Sequence, residues 1–167
     1  LESGQSFLGK RNTDKLYLMR RIIQPTHFFK KTNSKGTIYH IWDKAFRKSF
    51  LLENYILFPE GLPLSEDKVF MFDCINCFNN LYVINKILHH YRESQSSVKH
   101  AFSETLDVDR LKIFELLQKK INNIKETSIK TQLQNDMNGF IVAGACEVVV
   151  RKFYHRKYYK GRKKRKI

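Results

Sequence analysis

Apolar residues recur at helical spacing in five stretches of the chain, and three short stretches carry the alternating, β-rich pattern of strands. TDKLYLMRRIIQ (13–24) opens on a capping pair, Thr13 and Asp14, and continues with apolar positions at helical spacing until Pro25 stops it. After a polar loop over 30–36, TIYHI (37–41) alternates and predicts a short strand. DKAFRKSFLLENY (43–55) predicts a helix with Phe46, Phe50, Leu51 and Tyr55 on one side. The two prolines and the glycine of FPEGLPL then forbid regular structure. Ser65 is placed to cap a helix over 66–78 whose apolar positions include Val69, Phe70, Phe72 and Ile75. LYVI (81–84) and ILHHYR (87–92) predict strands, and ESQSS (93–97) a loop. Two helices follow, over 103–125 and 127–158. Leu106, Leu111, Phe114, Leu117, Ile121 and Ile124 form the apolar stripe of the first. No internal repeat is present.

This pattern divides the chain into a mixed part, residues 1–100, and a helical part, residues 101–167. The mixed part has too few strands for a sheet of its own, so the expectation is an α/β domain whose remaining strands lie upstream. LESGQSFLGK, which lacks an opening Met, likewise suits the interior of a longer gene product.

Charge changes the picture at one end only. The net charge is +15, but residues 151–167 hold ten of the 31 Lys and Arg and no acid. The other 150 residues are mildly basic, with 21 bases against 16 acids. A composition that is 42% hydrophobic and 13% aromatic belongs to a globular chain. Three cysteines are too few for a disulfide framework and point to a reducing compartment. The longest apolar run, FIVAGACEVVV (140–150), is too short to span a bilayer and contains Glu147.

Candidate chemistry centres on the adjacent carboxylates Glu66 and Asp67. As ordinary helix-start charges they are favoured by the dipole and by unpaired backbone N–H groups. As functional groups they occupy a rigid loop-to-helix junction, which suits a general base that takes a proton from an acceptor hydroxyl. Cys74 and Cys77 have C-x-x-C spacing. With no second pair and with phenylalanine neighbours, they read as small core fillers. Asp107-Val108-Asp109 reads as helix-start charge.

In order, the W-x-K-x-F-R-x-x-F-L run from Trp42, the FPEG turn at 58–61, the Glu66-Asp67 pair and LHHYRESQSS (88–97) resemble the second half of bacterial family 2 glycosyltransferases. The resemblance covers residues 37–97. It implies a partial Rossmann-like α/β domain contributing the acceptor side, followed by a helical C-terminal subdomain. It implies inverting transfer of a sugar from a nucleotide-sugar to a glycan or lipid-linked glycan acceptor, in surface polysaccharide synthesis. Asp67 matches the family's catalytic base and Glu66 the neighbour that hydrogen-bonds the acceptor. Trp42 and Lys44 match the run lining the sugar-binding floor. Arg92, with Ser96 or Ser97, matches the segment that closes over the donor diphosphate. His90 matches a position that ligates a divalent metal in some relatives, with His89 as the adjacent alternative. The cofactor implied is Mg or Mn, held mostly by an N-terminal half. That half is not represented here: no D-x-D precedes residue 60 and there is no Gly-rich phosphate loop. The chain alone is therefore expected to be inactive.

The tail KFYHRKYYKGRKKRK has three readings: an anchor on an anionic membrane surface through residues 151–166, a solvated tail, or a nucleic-acid-binding segment. The first, combined with the resemblance, places the chain in the cytoplasm at the inner membrane face. The rivals to an enzyme are a basic nucleic-acid-binding module and a helical interaction module whose carboxylates are only caps.

Overall fold

A computed structural model of the chain describes residues 6–8, 11–24, 38–84, 86, 88–90, 92 and 104–154. Its elements are strand β1 (Ser6–Leu8), helices α1 (Asn12–Ile23), α2 (Lys48–Glu53) and α3 (Glu66–Cys77), strand β2 (Asn80–Tyr82), and helices α4 (Leu106–Asn122) and α5 (Thr127–Tyr154).

The architecture is helical, which overturns the expected α/β, partly Rossmann-like domain. Among the described residues the only sheet is an antiparallel pair of three-residue strands, with Ser6 opposite Tyr82 and Leu8 opposite Asn80. Two such strands cannot form a layer on which helices pack. The strand expected at 37–41 is a bend at Ile38 and Tyr39 leading into a turn. Of the strand expected at 87–92, the described residues join no ladder. Instead, α1, α3, α4 and α5 bury one another's apolar faces. A single buried cluster runs through Leu18, Met19 and Ile22 of α1, Val69, Phe72 and Ile75 of α3, Ile113 and Leu117 of α4, and Leu133 and Met137 of α5. It draws on residues from both sides of position 100.

α3 is apolar on nearly every side. Val69, Phe70, Met71, Phe72, Cys74 and Ile75 are all buried, as befits a helix enclosed by others. Cys74 is one of these fillers, and burial pushes its thiol up to about 12. α4 and α5 are joined by a four-residue connection and pack side by side. The α4 stripe differs at one position from the expected one: Ile113 is buried, whereas Leu111 is exposed. Phe114 packs edge-on against Phe140, with centroids 5.2 Å apart, and also covers Gly144.

Polar ties fix the helices to one another. Arg20 of α1 donates to both Asp136 carboxylate oxygens, at 2.7 and 3.3 Å, and Gln24 donates to the same carboxylate. Lys120 of α4 pairs with Asp73 of α3 at 2.7 Å, and Lys15 of α1 donates to the Asn76 carbonyl near the end of α3. No helix among the described residues is long and apolar enough to cross a membrane.

The expected helix over 43–55 shrinks to six residues. Residues 41–44 form a turn closed by the Lys44 amide on the Ile41 carbonyl, and Arg47 is extended. At the other end Tyr55 adopts φ 53°, and the Tyr55 and Ile56 amides bond back to the Leu52 and Leu51 carbonyls. This is a Schellman closure with tyrosine in the left-handed position usually taken by glycine. It turns the chain into FPEGLPL, where Gly61 at φ 68° makes the second reversal.

Candidate functional site

The turn delivers the chain to α3 through Ser65, which sits in the left-handed region at φ 65°. Ser65 holds the expected N-cap position but makes no side-chain cap bond. Its hydroxyl oxygen instead accepts a hydrogen bond from Arg110 at 3.0 Å. Arg110 also bonds Glu147 of α5, so one guanidinium ties the start of α3 to both C-terminal helices. Glu147 in turn pairs with Arg151, one turn on.

Glu66 and Asp67 are the first two residues of α3, and both are half-buried. Burial, followed by the like charge of Glu66, raises the Asp67 carboxyl above its ordinary value. A backbone hydrogen bond from Lys68 and the ammonium charges of Lys68 and Lys44 oppose the rise without cancelling it. The dipole argument alone points the other way, towards a depressed value. Partial desolvation and the neighbouring carboxylate win.

Beside this pair lies a run of rings. Trp42 is exposed and stacks on His40, with centroids 5.2 Å apart, while His40 meets Tyr39 edge-on at 4.6 Å. His89 tilts against the same tryptophan at 5.1 Å. Tyr39 feels Asp67 directly: burial, then the Asp67 charge, raises its phenol. Lys44 donates to the His40 carbonyl and pairs with Asp43, so its ammonium braces the turn beneath Trp42.

The expected site residues thus separate into groups. Asp67, Glu66 and Lys44 share one electrostatic neighbourhood, and Trp42 lies on the segment that carries Lys44. His90 and Arg92 are exposed, and it is His89, not His90, that reaches the tryptophan. Ser96 and Ser97 lie outside the described residues, as does the tail beyond Tyr154. Among the described residues no three His, Cys, Asp or Glu side chains converge on a point where a metal could bind. No chemical step is assigned to a metal. Asp107 and Asp109 serve α4 locally: Asp107 pairs with Lys152, and Asp109 is buried and accepts from the Thr105 hydroxyl.

Sequence reasoning missed Lys68. Its stem runs inward, and its ammonium lies 4.3 Å from the Tyr39 ring centroid and 4.8 Å from that of Phe140. Among the described residues its one hydrogen bond is a long contact of 3.5 Å to the Ile22 carbonyl. Desolvation, helped by the Arg110 charge, lowers its pKa to about 8. A signal was present in the pattern: Lys68 heads the row Met71, Phe72 and Ile75, at one-turn and two-turn spacing on an inward face. Tyr39 and Arg110 carried no comparable mark.

No family model, curated protein or solved structure matches the chain.

Proposed function

We propose that this chain supplies the acceptor side and the general base of an inverting, nucleotide-sugar-dependent glycosyltransferase. Asp67 carries the reading. It is a carboxylate of raised basicity at the mouth of a helix, placed after the FPEG turn and electrostatically linked to the aromatic shelf formed by Trp42, His40 and Tyr39. The reading rests on this local arrangement and on the order of the motifs, not on the overall architecture.

In the proposed reaction the Asp67 carboxylate accepts the proton of an acceptor hydroxyl. The hydroxyl oxygen attacks the anomeric carbon of the donor from the face opposite the diphosphate. The bond from that carbon to the phosphate oxygen breaks, and the diphosphate leaves with the electron pair, inverting the configuration. Glu66 accepts a hydrogen bond from a second acceptor hydroxyl. The exposed face of Trp42 packs on the C–H face of a pyranose, a contact to which aromatic side chains are suited. Arg92, Ser96 and Ser97 are assigned to the diphosphate, where a guanidinium fork and hydroxyls suit phosphate oxygens. The remaining donor contacts come from outside this sequence, so activity belongs to the full-length gene product, acting on a glycan or lipid-linked acceptor.

The test is the pH dependence of kcat/KM for transfer by that full-length protein. A base must be ionised, so the rate falls as pH drops through its pKa. The acid limb is expected above 3.8, the ordinary aspartate value, and is expected to disappear in Asp67→Asn. An acid limb that is unchanged in Asp67→Asn removes Asp67 from the base role.

A further inference from the structure

Lys44 falls on the expected sugar-binding floor, yet its ammonium is occupied within its own turn. It donates to the His40 carbonyl, four residues back, and to the Asp43 carboxylate. The Lys44 side chain is only 19% exposed, against 41% for that of Asp43. The Lys44 amide closes the same turn on the Ile41 carbonyl at 3.1 Å. A lysine ammonium has three N–H donors and no acceptor, so these two oxygens take most of its bonding capacity. Hydrogen bonds from an ionised donor are also about twice as strong as neutral ones. The two partners flank Trp42 in the chain, and the indole stacks on the ring of His40. Ile38, which is 3% exposed, anchors the start of this segment in the core.

We propose that Lys44 is a positioning residue, which through His40 and Asp43 fixes the pose of Trp42 for an acceptor sugar without contacting that sugar itself. The proposal deepens the glycosyltransferase reading and rests on it. A direct contact would require the ammonium to leave both of its oxygens. The positioning role uses the bonds as they stand. The Lys44 charge also acts on the Asp67 carboxyl, which puts the braced turn in the neighbourhood of the proposed base.

The test sets Lys44→Met beside Asp43→Asn, which keeps the lysine and removes its carboxylate partner. Trp42 is the chain's single tryptophan, so intrinsic fluorescence reads the pose of its ring directly. In the chain by itself, both substitutions are expected to increase quenching of that fluorescence by acrylamide, with helicity by circular dichroism unchanged. In the full-length gene product, both are expected to raise the KM for acceptor, Lys44→Met by about tenfold, with a smaller change in kcat. The double variant is expected to lose little more than Lys44→Met, because Asp43 acts only through the lysine. Three results would overturn the proposal. One is quenching in both variants that matches the parent. Another is an acceptor KM that neither substitution moves. The third is a KM raised by Lys44→Met but unchanged or lowered by Asp43→Asn, the result of a lysine that touches the sugar. A full-length protein that transfers no sugar counts against the glycosyltransferase reading, and the fluorescence then decides alone whether Lys44 holds Trp42.

Discussion

At the scale of single residues, Asp67 and Lys68 are consecutive groups with opposite charge and linked fates. Burial disfavours the charged form of each, raising the carboxyl and lowering the ammonium, while their mutual attraction partly restores both. Lys68 yields a prediction independent of any activity. Its pKa of about 8 in the folded chain lies below the ordinary 10.5. Between these values the unfolded chain holds more protons, so stability rises with pH across that window. Below it, the charged form costs up to roughly 3 kcal/mol. Lys68→Met is expected to be more stable than the parent by about 1–3 kcal/mol at neutral pH, with the gap closing towards pH 10. Urea unfolding of both proteins at several pH values measures it, and a gap that does not change with pH contradicts the account. The position of Asp67 at a helix start could be read from Ser-Glu-Asp. The direction of its pKa could not, because that depends on which groups the fold places around it.

At the scale of elements, α1, α3, α4 and α5 were legible, with boundaries shifted by a few residues. Long apolar stripes at one-turn spacing identify a helix whatever it packs against. What escaped was decided by partners. Residues 37–41 have strand-like composition, yet Ile38 inserts into the helical core, and in the turn after it His40 meets Tyr39 edge-on and stacks on Trp42. The end of α2 was hidden because its left-handed closing residue is a tyrosine, where sequence reasoning looks for glycine. In α5 the two glycines are indistinguishable by sequence but not by packing. A Cβ on Gly144 would sit 2.4 Å from the tip of the Phe114 ring, which is itself held by Phe140, whereas a Cβ on Gly139 meets nothing within 4 Å. Gly144→Ala is therefore expected to destabilise by about 1–3 kcal/mol despite its better helix propensity. Gly139→Ala is expected to stabilise by about 0.5–1 kcal/mol. Thermal or urea unfolding of the two variants gives the comparison, and equal shifts contradict this packing of α4 on α5.

At the scale of the whole molecule, the apolar cluster ignores the change of pattern near residue 100. α1 packs on both α3 and α5, and Arg20, Lys120 and Arg110 tie the earlier helices to the later ones. Residues 101–167 expressed alone leave the α4 and α5 faces that meet α1 and α3 uncovered. That piece is expected to lack a cooperative unfolding transition, which the whole chain shows; a sharp transition in the isolated piece contradicts a shared core. Charge distribution at this scale was fully readable, since ten cations in the last seventeen residues need no fold to be seen. Which apolar residues of α5 stay exposed was not, because that depends on which side of the helix α4 covers. The central claim concerns Asp67, and substituting asparagine for it separates catalysis from structure. Burial and Glu66 disfavour its charge, so Asp67→Asn is expected to keep or slightly raise stability. In the same full-length protein, turnover with a nucleotide-sugar donor and acceptor is expected to fall about a hundredfold or more. Turnover that falls only a fewfold in a folded Asp67→Asn protein would contradict the account and leave the two carboxylates as helix-start charges.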